Sequence, residues 1–284
     1  MSPYLIPPKA PCKTLGIGVF DGVHLGHQEI IRHCDTILSF HPLPNLVLNP
    51  NSDIQYITTP TERQHLVPSL IVLEFTKALA TMSAATFLEE IIAPLAPETI
   101  IVGYDFKFGH KQEGNTDLLQ AWCTQHNIAF KKVDPVKSDT DLIYKSSWVR
   151  KALRNDPDHA IELMGHPYII IGEVIPGDNR GNKLGYPTAN IKIDPLKVYP
   201  KPGVYKGQAI IQNQRYNAGV YIGQSKTFDK TNLSCEAHIL EFNNDLYGQE
   251  ICIEINAFIR NEHQFESEDA LKAQIKEDLN TILG

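Results

Sequence analysis

Residues 16–31, GIGVFDGVHLGHQEII, concentrate groups suited to anion chemistry in one short span. His24 and His27 supply imidazoles one helical turn apart, Gly18 and Gly26 leave the backbone open to close approach, and Asp21 follows Phe20. Residues 14–20 are apolar and partly β-branched, while Ile30, Ile31, Cys34, Ile37 and Leu38 recur at helical spacing. That pattern predicts a strand, a tight turn and a helix N-terminus. Such an N-terminus presents unpaired N–H groups and a partial positive charge, so the turn suits a phosphate. The histidines would then stabilise charge building on a transferring phosphoryl or nucleotidyl group, a reaction governed by positioning and electrostatics. Taken alone, H-x-x-H favours a polar turn with exposed histidines, and no H-E-x-x-H or cysteine partner marks a zinc site.

Three further stretches carry candidate chemistry. In SSWVR, Ser146 and Ser147 can be helix caps and Arg150 a solvated helix residue. Hydroxyls at a helix start with a guanidinium one turn later also match triphosphate oxygens. In GDNRGNKLGYPTAN, Gly177, Gly181 and Gly185 make either a long surface loop or a loop that approaches phosphates closely. Thr188 and Asn190, at its end, are hard oxygen ligands of the kind magnesium takes. Glu236 is a lone acid in the alternating strand SCEAHILEF, and spacing leaves open whether it is a buried general base or part of a solvent face.

The elements that must position these groups divide the chain. Its first half alternates apolar strands (TLGIGVF, TILSF, SLIVLEF, ETIIVG, NIAFKKV) with helical patterns such as SAATFLEEII, which predicts a parallel sheet with helices on its faces. Ligands bind beyond the carboxyl ends of such strands, and FDGVHLGH, FHP and GYDFKFG all fall there. The span from Gly26 to Phe40 is short for a crossover, so either its helix is short or the second strand is stunted. Ser147 is expected to cap one following helix, and Asp156 with Pro157 to start another that Gly165 stops. The domain boundary is placed after His166, giving domains 1–166 and 167–284. Beyond it, five strands without intervening helices predict an antiparallel barrel or sandwich, closed by a helix capped at Ser267.

Composition narrows the class. The 284 residues carry a net charge of −7 without a basic block, which argues against a nucleic-acid partner. Five scattered cysteines, with no C-x-x-C, read as reduced and mostly buried thiols. The N-terminal order of residues is not that of a signal peptide, no apolar run is long enough to span a membrane, and the expected location is the cytoplasm.

Taken together and in order, these segments resemble the bacterial bifunctional riboflavin kinase/FMN adenylyltransferase family, the prokaryotic FAD synthetases. The resemblance runs from about Leu15 to Leu283 through GxFDGxHxGH, FHP, GxDFxFG, the serine-rich helix start with its arginine, GDxRGxxLGxPTAN, GVY at 203–205, IGxxxTF at 222–228 and ExHIL at 236–240. It implies a Rossmann-like nucleotidyltransferase domain followed by a small riboflavin kinase barrel with a C-terminal helix. It implies ATP and Mg²⁺ as co-substrate and cofactor, with riboflavin, FMN and FAD as substrates and products. In the barrel, Glu236 would take the proton of the riboflavin 5′-hydroxyl, and Thr188 and Asn190 would hold Mg²⁺ and ATP phosphates. The loop with Gly177, Asp178, Gly181, Gly185 and Pro187 would cover the nucleotide. In the first domain, Gly18, Phe20, Asp21 and Gly26 would shape the ATP turn. His24 and His27 would stabilise the α-phosphate, Ser146, Ser147 and Arg150 the departing pyrophosphate, and Asp105 and Phe106 would lie at the flavin side. A riboflavin kinase with a decayed adenylyltransferase half, and a non-catalytic flavin-binding regulator, are the competing expectations.

Overall fold

The computed structural model describes residues 12–138, 141–177, 181, 184–224 and 233–284. The chain divides into two compact units, Met1–Ser146 and Ser147–Gly284.

In the first unit, β1 (Thr14–Ile17), β2 (Thr36–His41), β3 (Leu70–Glu74), β4 (Thr99–Gly103) and β5 (Ala129–Val133) pair in parallel, in the order β3-β2-β1-β4-β5. The chain winds outward from β1 through β2 to β3, then returns to the other side of β1 for β4 and β5. The crevice at this reversal lies beyond the carboxyl ends of β1 and β4. Both faces of the sheet are covered, as a parallel sheet requires. Leu15, Ile17, Leu38, Ile100 and Val102 enter one core with Leu88, Ile91 and Leu119, while Ile37, Leu70 and Ile101 enter another with Phe20, Val23 and Ile30.

The crossover from β1 to β2 corrects the expected helical pattern. Helix α1 spans only Leu25–Ile31, and Ile37 and Leu38 are strand residues pointing to opposite faces. Asp35 sets this change of direction, because its N–H donates to the Thr14 hydroxyl (2.8 Å) and its carboxylate accepts from the Thr14 N–H (3.1 Å). The start of β2 is thereby latched beside β1, and the strand keeps its full length. Short helices α2 (Pro44–Leu48), α3 (Pro60–Leu66) and α4 (Lys77–Ala80) follow. The predicted helix in SAATFLEEII is α5 (Ala84–Phe87), which widens into a π turn over Leu88–Ile92, and α6 (Thr116–Gln125) precedes β5.

The second unit begins with α7 (Ser146–Asn155) and α8 (Pro157–Met164), so the expected boundary at 166/167 lies inside it. Ser147 sits within the first turn of α7 and is not its cap, whereas Asp156 caps α8 and a left-handed Gly165 ends it. A closed barrel follows, in the order β10-β7-β6-β11-β8-β9. Its strands are β6 (Tyr168–Ile175), β7 (Ala189–Ile191), β8 (Gly203–Ile211), β9 (Gln214–Gln224), β10 (Leu233–Ile239) and β11 (Glu250–Asn261). The sixth strand, β7, was not expected: three residues are too few to show alternation, and it closes the barrel by pairing with both β6 and β10. Helix α9 (Glu268–Leu283), capped by Ser267, is tied to the barrel by a fork of hydrogen bonds from Arg260 to Asp278 at 2.7–3.1 Å.

Helix α8 is hydrogen-bonded to a barrel strand, and α7 to the segment that leads into β8. The Lys201 N–H donates to the Leu153 carbonyl at 2.9 Å, and the Phe258 N–H to the Asp158 carboxylate at 2.7 Å. Helix α8 also packs on β11. A fragment starting at residue 167 loses both bonds and this packing, an expected loss of about 2 kcal/mol relative to a fragment starting at residue 147. Urea unfolding of the two fragments measures the difference, and coincident midpoints would show that the helices add nothing to the barrel.

Candidate active sites

The turn between β1 and α1 is built from strained backbone held by buried polar contacts. Phe20, Gly22 and Val23 have φ of +52°, +82° and +42°. Gly22 is required there, since a Cβ would also lie 2.8 Å from Ile57 Cδ1. Asp21, 2% exposed, points its carboxylate into residues 57–58, accepting from the N–H groups of Ile57 and Thr58 at 3.0 Å and from the Thr58 hydroxyl at 3.3 Å. The Gly22 N–H donates to the Thr58 hydroxyl at 2.9 Å. Asp21 therefore clasps the turn to the segment that precedes α3, where Thr59 and Glu62 form a reciprocal capping box.

On this frame the two histidines stack, ring centroids 3.6 Å apart and planes at 19°, with the Phe20 ring edge-on to His27 at 5.4 Å. His24 is 4% exposed, which disposes of the reading as a polar turn with exposed histidines. It is also the N-cap of α1: its Nδ1 accepts from the His27 N–H at 3.3 Å, which assigns the proton of the neutral ring to Nε2 as a donor. Gly18 lies under the Phe20 ring, 3.0 Å from where a Cβ would stand, and a Cβ on Gly26 would crowd the His24 ring at 3.2 Å. The Ser146 hydroxyl, on the last residue of the first unit, donates to the Asp21 carbonyl at 2.9 Å. Ser147 is exposed and Arg150 half-buried one turn along α7, and both fall in the second unit.

The loop after β4 closes through the Phe106 N–H donating to the Gly103 carbonyl at 3.1 Å. Asp105 is exposed, and Phe106 is half-buried and stacked on Phe108 with centroids 5.5 Å apart. Arg63, on α3, is a buried residue that the sequence reading missed: an arginine in TERQHL looks like part of a solvated helix face. Burial draws its pKa down, against the opposing charges of Asp21, Tyr56 and Glu62.

On the barrel, Cys235, Ala237 and Ile239 of β10 point inward and are buried, which turns Glu236 and His238 to the outer surface. Directly opposite Glu236 stand Asn190 of β7 and Tyr221 of β9, on the same face. The Thr188 hydroxyl donates to Glu236 Oε2 at 3.3 Å. His238 Nδ1 lies 2.7 Å from the Pro187 carbonyl, and its ring meets Tyr186 edge-on at 5.6 Å, so it seats the segment that carries Thr188. Tyr221 donates to Glu262, and burial, this bond and the charges of Glu262 and Glu236 push its pKa up, keeping the hydroxyl protonated. Gly177 packs against Asn190, where a Cβ would stand 2.1 Å from Nδ2. Gly181 accepts from the Tyr186 N–H at 2.8 Å, and Gly185 is left-handed at φ +87°. Asp178 lies outside the described residues, as do Thr227 and Phe228 of the IGxxxTF segment.

Thr188, Asn190 and Glu236 thus bring hard oxygen atoms together, and no group of three His, Cys, Asp or Glu side chains among the described residues forms a denser metal cage. That donor set fits a magnesium ion carried largely by nucleotide phosphates and water. No helix among the described residues is long and apolar enough to cross a membrane, and all five cysteines are free thiols.

The two halves of the chain match two family models, FAD synthetase over residues 7–147 and riboflavin kinase over residues 164–283. The bifunctional riboflavin kinase/FMN adenylyltransferase of Listeria monocytogenes is 32% identical, with 94% of this chain and 90% of that protein aligned. The protein of the same description from Bacillus subtilis is 32% identical over 97% of this chain and 93% of its own length. Among solved structures, the macrolide-efflux protein from Streptococcus pneumoniae has the same fold, with a TM-score of 0.83 at 28% identity over 98% of this chain and 96% of that one. With a parallel-sheet unit, a closed antiparallel barrel and both family models matched in order, this chain belongs to the bifunctional riboflavin kinase/FMN adenylyltransferase family.

Proposed function

We propose that the barrel phosphorylates riboflavin with ATP and that the parallel-sheet unit adenylylates the resulting FMN to FAD, in the cytoplasm, with the work divided between residues 1–166 and 167–284. The observation that carries the reading is the placement of each set of groups. The stacked His24–His27 pair stands at the carboxyl end of β1, beside the reversal of the sheet, and Thr188, Asn190 and Glu236 meet on one outer face of the barrel.

In the kinase reaction, Glu236 accepts the proton of the riboflavin 5′-hydroxyl as it attacks the γ-phosphate of ATP. The Thr188 hydroxyl orients that carboxylate, and the protonated Tyr221 beside it keeps a hydroxyl and not a second anion against it. Thr188 and Asn190 would hold Mg²⁺, which supplies charge neutralisation on the phosphates when bound. Gly177, Gly181, Gly185 and Pro187, with Asp178, form the nucleotide loop. In the adenylyl transfer no base is needed, because the FMN phosphate is already an anion. His24 donates from Nε2 to the α-phosphate as its charge grows, with His27 packed behind it. Gly18, Phe20, Asp21 and Gly26 fix the turn. Ser146, Ser147 and Arg150 receive the pyrophosphate, and Asp105 and Phe106 border the flavin. The net charge of −7, without a basic block, argues for small anionic substrates over nucleic acid.

Incubating the protein with riboflavin, ATP and Mg²⁺ and resolving the flavins by chromatography should yield both FMN and FAD. FMN without FAD would establish the kinase-only alternative, and binding of flavin without turnover the regulator.

Replacing Glu236 by Gln should lower FMN formation by about 10² to 10⁴, the usual worth of a general base, while FAD formation from supplied FMN continues. Equal FMN production by Glu236→Gln and the parent removes Glu236 from that role.

His24→Ala should have the complementary effect. A donor placed on developing transition-state charge is worth about 3–4 kcal/mol, so FAD formation from FMN should fall by roughly 10² to 10³ with riboflavin phosphorylation intact. An unchanged rate of FAD formation would make His24 a helix cap and nothing more.

A further inference from the structure

We propose that Arg63 is a positioning residue for adenylyl transfer, replacing the sheet's lost hydrogen bonds where β1 and β2 part and so fixing the origin of the turn that carries His24. The inference rests on the reading that this turn holds the α-phosphate of ATP.

Arg63 is 0% exposed and heads the largest fully buried side chains of the protein. A buried guanidinium is costly unless its donors are used, and a neutral side chain of similar length would fill the space at lower cost. Among the described residues one of its nitrogens is hydrogen-bonded: Nη1 shares its two hydrogens among the Val19 carbonyl (2.7 Å), the Ser39 hydroxyl oxygen (2.7 Å) and the Phe40 carbonyl (3.1 Å). Nε and Nη2 have no hydrogen-bond partner among the described residues. Asp21 and Glu62 supply opposing charge around the group, and its hydrogen bonds go elsewhere. Its one engaged nitrogen sits at a single junction.

That junction is where the ladder ends. The last bond from the β1 side to β2 runs from the Gly18 N–H to the Leu38 carbonyl at 3.1 Å. Two residues along β2 from Leu38, the Phe40 carbonyl accepts from Arg63, and so does the Val19 carbonyl of the departing chain, which also accepts from the Ser39 hydroxyl at 2.7 Å. Immediately afterwards the chain turns left-handed at Phe20, Gly22 and Val23. Non-glycine residues in that region persist only where the surroundings over-determine them. Asp21 holds the middle of the turn and Arg63 holds its root. The same nitrogen also holds the Phe40 carbonyl, so the loops leaving β1 and β2 share one anchor.

The test compares Arg63→Met, which removes charge and donors, with Arg63→Lys, which keeps one charged donor at nearly the same reach, both in the full-length chain. With supplied FMN, kcat for FAD formation should fall about 10- to 100-fold in Arg63→Met, the scale of a small misplacement of a reacting group. The KM values for ATP and FMN should stay within about threefold, in line with a loss felt in positioning and not in binding. Arg63→Lys should recover part of the loss. Riboflavin phosphorylation by the same molecules reports an intact barrel, and pulse proteolysis gives the fraction of the first unit folded at assay temperature. Should Arg63→Met fail to fold, Arg63→Lys alone decides, its kcat below the parent's at full folding supporting the proposal. Three results overturn it: parental FAD formation in the folded variants, a loss confined to KM, or a loss that only tracks the unfolded fraction. A parent that makes FMN but no FAD overturns the adenylyltransferase reading itself, and this inference falls with it.

Discussion

The site in the first unit depends on one constraint: a parallel sheet must let two neighbouring strands part to make room for a ligand, and parting strands strand their backbone groups. Each buried carbonyl or N–H left behind costs roughly 1–3 kcal/mol unless something else meets it. Here the replacements are all side chains. Arg63 and Ser39 take the Val19 carbonyl, the Asp21 carboxylate takes the N–H groups of Ile57 and Thr58, and Thr58 returns a bond to Gly22. The left-handed turn exists because this web of substitutes surrounds it. The stacked histidines inherit their position from the web, since His24 is a helix cap and has no freedom of its own.

The barrel solves a different problem by different means. Its strands stay paired around the full circle, so no backbone has to be rescued, and the reactive groups are placed by register alone. Asn190, Glu236 and Tyr221 lie in one row across β7, β10 and β9 because antiparallel pairing sets directly opposite residues on the same face. His238 adds a local tie, holding the Pro187 carbonyl so that Thr188 reaches Glu236.

Much of this was legible in the residues. The alternation of strands and helices gave the parallel sheet, the change of rhythm after residue 167 gave the barrel, and the glycine-histidine turn stood out from its neighbours by composition. What was hidden had physical reasons. Ile37 and Leu38 fit a helix and a strand equally until Asp35 latches β2 to Thr14, a contact between segments that periodicity cannot register. The three residues of β7 are too short for any pattern. Asp21 stood out as part of the turn, but nothing in its spacing tells that its carboxylate is engaged by backbone from far along the chain, and Arg63 went unnoticed because nothing local announces a fully buried arginine. Sequence rhythm reports which way a residue faces, not which distant backbone it must satisfy.

The outward placement of Glu236 separates two kinds of selection along a single strand. In β10 the residues at odd positions, Cys235, Ala237 and Ile239, fill the interior, and those at even positions, Glu236 and His238, face outward. Neighbouring codons therefore answer to different demands, one set to volume and the other to chemistry. The site can be retuned without repacking the interior, and the interior can drift in size without touching the site. The arrangement is fragile only to a change of frame within the strand. Loss of a single residue ahead of Cys235 would exchange the two sets, carrying a carboxylate into the apolar centre and a thiol out to the surface.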